Sequence, residues 1–342
     1  MLEALVLRAS NAVVSRQVDL ADFACLLVPV LREDRSDAGV MPAHCGQSLF
    51  VSDARIDNRA EIIARLGLPK LSVDQIGDAS LLLHAWRRWR VDLFDHVIGD
   101  IALAVREGEE RKLTLARSPM SLRSLFYAEM PHGIAFASQP ASLRVIDGIG
   151  ATPNLENLAA ATSGEVFSDG SLTLYQGIDA VRQGTAVEFS AFGTSTRQLW
   201  FPADVPIIRE SLADTGASLR EELDRSVRAR LRRNAGSVAS HFSAGRYSSA
   251  VATSAAIVLG EGGERLHAMT SAPDAGFDDG ARDRWIADES VLAGVTARTY
   301  PTIHHEIVRA GSRNFLSALE EHNRCHFWPQ FNLPTLDGGT RS

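Results

Sequence analysis

The chain has 342 residues, 45% of them hydrophobic, enough apolar material for a full core at a length suited to about two domains. Its formal net charge of −7 gives no global basic field to grip a phosphate backbone, which excludes nucleic acid as the expected partner. No stretch of about 18 uninterrupted apolar residues offers a membrane span, and the opening Met1-Leu2-Glu3-Ala4 lacks the order of a signal peptide, so the chain reads as cytoplasmic with no membrane partner.

Residues to about 200 read as short strands interrupted by helices, the grammar of an α+β domain. Cys25, Cys45 and Cys325 are too scattered for a disulfide framework and form no C-x-x-C metal pair. Strands are predicted over residues 49–54, 101–106, 113–117, 125–129 and 134–138, and Pro131-His132-Gly133 predicts a tight antiparallel connection between the last two. Asn58 followed by Glu61 predicts a capping box, and Gly67 a stop, for a helix over Arg59–Leu66. A second helix is predicted from Asp78 to about Trp89, with Leu81, Leu82, Ala85, Trp86 and Trp89 on its core face.

Composition shifts over 201–206, where Pro202 and Pro206 break the periodicity and place a linker. Ser218 with Glu221 predicts a capping box that opens a helix lined by Leu219, Leu223, Val227 and Leu231 and ending near Asn234. Arg225, Arg228, Arg230, Arg232 and Arg233 crowd its last turns, where positive charge complements the helix dipole on a solvated face. Strands over 238–242, 266–270 and 303–308 then alternate with helices ending near 259 and spanning about 288–298, which predicts a parallel sheet.

The first of these strands runs into Ser243-Ala244-Gly245-Arg246-Tyr247-Ser248-Ser249 and a helix. Backbone N–H groups and hydroxyls thus gather at the positive end of a helix, an anion cradle. Gly245 is read as the point of tight turning and close approach, with Ser243, Ser248 and Ser249 as hydroxyl donors to phosphate oxygens. His304 and His305 are adjacent on a strand, face opposite ways and share no metal. Asp288 and Glu289 open a helix, where negative charge is favourable whatever the function, and a place near the active cleft is the alternative. Asp278, Asp279, Asp283 and Glu289 lack the order of a calcium loop, so no metal ligands are assigned.

The loop resembles the S-G-G-x-D-S pyrophosphate loop of the asparagine synthetases and other PP-loop ATP pyrophosphatases, and its setting over residues 241–252 is similar to the lasso-peptide cyclase version. Leu266-His267-Ala268-Met269-Thr270 resembles the family strand whose end holds the adenine, and residues 300–307 resemble the next one. In the first domain, residues 50–59 resemble the family's G-E-I-Y-N segment, residues 99–104 its G-D-F-A-F-A strand, and residues 116–127 its A-R-D-P-x-G-x-x-P-L-Y-Y segment, all in the family's order.

This resemblance implies an α+β N-terminal αββα sandwich, Ntn-hydrolase-like, over residues 1–205, a glutamine amidotransferase type 2-like domain. Residues 206–342 then form a partial α/β parallel-sheet PP-loop (Rossmann-like) domain of asparagine synthase type. The implied chemistry is adenylation of a carboxylate by MgATP with release of pyrophosphate, followed by attack of an amine. The implied ATP and pyrophosphate contacts are Phe242, Ser243, Ala244, Gly245, Arg246, Ser248, Ser249 and Met269.

Three departures shape the expectation. Leu2 stands where family glutaminases carry their cysteine nucleophile, and Arg55 replaces a glutamine-binding Glu although Asp78 is retained, so the first domain is read as structural. Tyr247 stands where the loop has its magnesium-holding Asp, so no catalytic residue is assigned. The family's second nucleotide loop is not found before the polar tail at 335–342, which identifies an incomplete synthetase domain. A domain without an ammonia supply suits a lasso-type macrolactam reaction on a precursor peptide, with a leader peptidase or precursor-recognition protein as further partner; the alternative is a non-catalytic remnant or scaffold.

Overall fold

In the computed structural model the chain divides into two compact units, Met1–Ile207 and Ile208–Ser342. The structure describes residues 17–20, 23–26, 43–45, 47–68, 76–150, 152–163, 173–232, 237–274, 286 and 288–309. Leu2, Arg233, Asn234, Asp278, Asp279, Asp283, Cys325 and the tail at 335–342 lie outside them.

In the first unit β1 (Gln17–Leu20) and β2 (Phe23–Leu26) form a separate antiparallel ribbon. After them come β3 (Ala43–Cys45), β4 (Ser48–Ile56), helices α1 (Arg59–Leu66) and α2 (Asp78–Trp89), and strands β5 (Gly99–Glu107) and β6 (Lys112–Arg117). Then come β7 (Phe126–Met130), β8 (Gly133–Ala137), the short helix α3 (Pro140–Leu143), α4 (Leu155–Ser163), β9 (Asp179–Ala180), β10 (Thr185–Ser190) and β11 (Gly193–Gln198). Six strands pair antiparallel in the order β11-β10-β6-β5-β4-β3, and β8-β7-β9 make a second sheet. Pro131 and His132 form the two-residue turn of the predicted hairpin.

Period-two alternation sorts the side chains of β5 between two cores. Ile101, Leu103 and Val105 face the helices and join Phe50, Ile56, Ile62, Leu81, Leu82, Ala85 and Trp86. Ala102 and Ala104 face the other way, where Leu115, Val187 and Phe189 meet Leu125, Tyr127, Ile134 and Phe136 around the second sheet. The layers therefore run helices, large sheet, small sheet, with α3 packed on β7 and β8.

Both predicted helices have the predicted ends, and Gly67 closes α1 in the left-handed conformation at φ 66°. The capping box does not form. Asn58 makes no side-chain cap; its Nδ2 donates to Glu61 Oε2 at 3.0 Å and to the His96 carbonyl at 2.8 Å, and its Oδ1 accepts from Ile98 N–H at 2.9 Å. A turn 40 residues away outcompetes the local bond.

In the second unit α5 (Leu212–Arg230) precedes β12 (Val238–His241), α6 (Arg246–Glu261), β13 (Leu266–Ser271), α7 (Ser290–Thr299) and β14 (Ile303–Val308). The strands pair in parallel in the order β12-β13-β14. Phe242, Leu266, Ala268 and Ile303 face the helices and pack with Val227, Ala252, Ala256, Leu259, Ala293 and Ala297. The opposite face carries His241, His267, His304 and Glu306, all exposed.

Helix α5 begins earlier than its leucine row indicates. Ser211 is the N-cap, accepting from Asp214 N–H at 3.1 Å, so Ser218 and Glu221 lie inside the helix. Leu219 is 69% exposed while Val227 is 7% exposed, so only the C-terminal part of the row reaches the core. Arg225 pairs with Glu222 and Arg228 with Glu261, as a solvated face does.

Gly99 begins β5 against the end of β4, and a Cβ built there would sit 2.0 Å from the Arg55 carbonyl oxygen. Gly99→Ala is therefore expected to lower stability by about 3 kcal/mol, the upper range for forced overpacking, because the obstruction is backbone and cannot rotate away. Urea unfolding of the two proteins measures this directly; equal midpoints would show that the strands do not meet here.

Candidate functional site

The β12–α6 connection brings the predicted loop together. Ser243 N–H donates to Ser248 Oγ at 3.1 Å, Gly245 N–H donates to Ser243 Oγ at 3.1 Å, and the two hydroxyls lie 2.7 Å apart. Ser249 Oγ donates to the Ser243 carbonyl at 3.1 Å. The serine hydroxyls thus hold the loop to itself. The first-turn amides of α6 have no acceptor within their own helix and add backbone donors at this end. Arg246 and Tyr247 open that helix with exposed side chains, Tyr247 at 90%.

Gly245 is not a conformational requirement, since its φ of −68° and ψ of 148° suit any residue. It is a spatial one: a Cβ there would stand 3.0 Å from Ser243 Oγ. Phe242 follows β12 directly. Its ring is 1% exposed and packs edge-on to His305 at 5.5 Å, so only its backbone faces the loop. Met269 lies in register with His241 on the polar face of the sheet, and its carbonyl accepts from Phe242 N–H at 2.8 Å.

Beneath the loop Thr270 Oγ1 donates to the buried Phe242 carbonyl and lies 2.8 Å from His305 Nε2. Because the hydroxyl hydrogen goes to Phe242, Nε2 carries a proton and donates to Thr270. Burial holds the His305 pKa below its ordinary value, keeping the ring neutral. His304 points to the other face, 5.1 Å from the His267 ring.

Of the two sequence expectations for Glu289, a helix-opening charge and an approach to the cleft, the structure fits the second. Its side chain makes no cap on α7, and its Oε2 accepts from Ala244 N–H at 3.3 Å, inside the loop. Neighbouring Asp288 accepts from Ser290 N–H at 2.9 Å, and the bonds from Ser290, ahead of the Arg309 guanidinium, hold its carboxyl below the usual range. Among the described residues no group of three His, Cys, Asp or Glu side chains is placed to hold a metal ion. At the loop the nearby carboxylate is engaged by Ala244, and the motif position is a phenol. This donor set does not fit magnesium held by the protein alone.

In the first unit, charged residues gather where β4 and β5 meet. Asp78 is 4% exposed; Arg59 pairs with its Oδ1 and Ile56 N–H donates to Oδ2 at 3.2 Å. The carboxylate that the resemblance assigns to glutamine thus braces α1, α2 and the end of β4. Asp53 pairs with Arg123 at 3.2 Å; burial, reinforced by Asp100 and opposed by Arg123, raises its pKa although 45% of the side chain remains accessible. Arg117, its pKa lowered by burial, donates to the carbonyls of Arg123 (2.7 Å), Val181 (2.7 Å) and Ser121 (3.1 Å). Leu122 N–H donates to Asp100 Oδ1 at 3.1 Å, so the loop after β6 is fixed along its path.

Residues 30–145 match the family of a glutamine amidotransferase domain. The chain is 26% identical over 153 residues to asparagine synthetase [glutamine-hydrolyzing] 3 of Bacillus subtilis, a match over 43% of this chain and 24% of that protein. The matched stretch thus spans about a quarter of the relative's length. Both findings support a relation to asparagine synthetases and glutamine amidotransferases. Solved structures with detected likeness include glutamine phosphoribosylpyrophosphate amidotransferase from B. subtilis (14% identity, TM-score 0.29, 81% of this chain and 69% of that one). A glutamine aminotransferase class-II domain protein from Silicibacter pomeroyi is another (13% identity, TM-score 0.27, 46% of this chain and 70% of that one). No helix among the described residues is long and apolar enough to cross a membrane.

Asp78→Ala is expected to cost about 3–5 kcal/mol in urea unfolding, because it strands a buried guanidinium; a loss under about 1 kcal/mol would mean Arg59 finds water. For His305 the folded state binds fewer protons than the unfolded one, so its contribution is present above about pH 6.5 and is lost as pH falls below that value. Amide exchange in β13 should therefore accelerate between about pH 7 and pH 5 more in the wild type, after correction for intrinsic rates, than in His305→Gln. Identical acceleration in the two proteins would assign the pH dependence elsewhere.

Proposed function

We propose that this chain is an asparagine-synthetase-type, lasso-cyclase-like protein whose reaction is ATP-dependent amide formation. Residues 1–205 serve as a glutamine amidotransferase-like domain without a nucleophile, and residues 206–342 as the ATP-binding domain of a cytoplasmic enzyme. The observation that carries the reading is the junction of a parallel strand, the 243–249 loop and the 16-residue helix α6, which presents backbone amides at the positive end of a helix.

In the proposed reaction an Asp or Glu side-chain carboxylate of a precursor peptide attacks the α-phosphorus of ATP and pyrophosphate leaves. The peptide's α-amine then attacks the acyl carbon and AMP leaves. The loop residues Ser243, Ala244, Gly245, Arg246, Ser248 and Ser249 receive the phosphates, and Phe242 and Met269 border the nucleotide. Any magnesium would be held by the nucleotide's own phosphates, where it would offset part of their charge. A leader peptidase or precursor-recognition protein delivers the peptide.

The exposed Tyr247, a phenol at a position the resemblance gives to a carboxylate, favours a second reading, a non-catalytic pathway scaffold. Release of AMP and pyrophosphate by the full chain with ATP and a peptide bearing a free amine and an acidic side chain supports the first. Co-purification with the precursor and no turnover supports the second.

Gly245→Leu tests the site itself. Its Cβ would press on Ser243 Oγ at 3.0 Å and its remaining atoms would fill the phosphate's approach, so ATP affinity is expected to fall at least about tenfold. Unchanged affinity by equilibrium dialysis, with circular dichroism confirming the fold, removes the loop from the proposal.

A further inference from the structure

Ala244 N–H lies in the middle of the loop, and its acceptor is a carboxylate brought from 45 residues away. Neighbouring amides are satisfied locally, Ser243 by Ser248 and Gly245 by Ser243. Glu289 has no capping duty on α7, because the first-turn N–H of Ser290 is taken by Asp288. Helix α7 itself is anchored through Ala293 and Ala297 in the core, and Asp288 is 3.5 Å from Arg309. The glutamate is thus held beside the loop by packing that does not depend on its own side chain.

We infer that Glu289 is a built-in anion that occupies the Ala244 amide and competes with phosphate for it. A carboxylate and a phosphate oxygen seek the same donor, one N–H cannot serve both well, and the two negative charges repel at this range. Binding of a phosphate group at the loop therefore requires the Glu289 side chain to rotate out, while the α7 backbone stays. Glu289 sets the threshold of phosphate affinity. The inference rests on the proposed phosphate-binding role of the loop and names the residue that regulates it.

The test measures binding of inorganic pyrophosphate to the full-length chain by isothermal titration calorimetry, for the wild type, Glu289→Gln and Glu289→Ala. Gln keeps an acceptor and removes the charge; Ala removes both. The expected order of affinity is Ala, then Gln, then wild type, with Ala about tenfold tighter than wild type, the scale of one hydrogen bond to a charged group. Binding by a variant where the wild type shows none supports the inference equally.

Equal affinities in the three proteins overturn it and leave the loop as a phosphate site. Weaker binding by the variants also overturns it and makes Glu289 part of the binding apparatus. Absence of binding in all three overturns both the inference and the site beneath it. Circular dichroism and the amide shift of Ala244 confirm that each variant is folded and that the contact has been altered.

Discussion

The first unit depends on the buried pair of Arg59 and Asp78. Arg59 is the first residue of α1 and Asp78 the first of α2, and the same carboxylate accepts from Ile56 at the end of β4. One negative charge thus fixes where a strand stops and where two helices start. Arg59 also donates to the Ile76 carbonyl, so the guanidinium closes the same junction from its other side. Such a pair adds little net stability over an apolar substitute but makes alternative arrangements costly, since separating its members strands a charge in the core. This specification of arrangement lets β4 present Asp53 and Arg55 on the face that meets the second sheet.

The second unit uses a different constraint at the equivalent strand end. There Thr270 and His305 bridge three consecutive segments through neutral hydrogen bonds, and Phe242 inserts beside them. Backbone geometry at the loop then follows from packing below it, with serine hydroxyls closing the loop above. The arrangement is self-contained, with the Ser243 and Ser248 hydroxyls bonded to each other and to loop backbone.

Much of this was legible in the sequence. The ends of α1 and α2 followed from Gly67 and from a hydrophobic row of unambiguous period, and the strand–loop–helix junction followed from small residues after an apolar run. Other features were not legible, for identifiable reasons. Ser211 with Asp214 and Ser218 with Glu221 are both serines followed three residues later by an acid, and only the extra turns of α5 select the first. Asn58 has a local and a distant partner, and distance along the chain conceals the distant one. Phe242 sits at a strand end, where alternation no longer states which face it takes. Glu289 was legible only as an acid at a helix start with a place near the cleft as the alternative, and its partner, the Ala244 amide 45 residues away, was not.

Arg117 has a consequence for which substitutions the first unit tolerates. Three carbonyls at fixed angles around one planar guanidinium cannot be matched by an ammonium on a flexible stem, so this position is closed to lysine although charge would be conserved. The residues it holds are under the opposite rule. Met120 and Leu122, 76% and 82% exposed, ride on a backbone whose path is set by Arg117, Ser118, Ser121 and Asp100. Leu122 can therefore change identity without changing the curve that carries it, while Met120, at φ 53°, is closed to β-branched residues, so this loop has a fixed path and a partly editable surface.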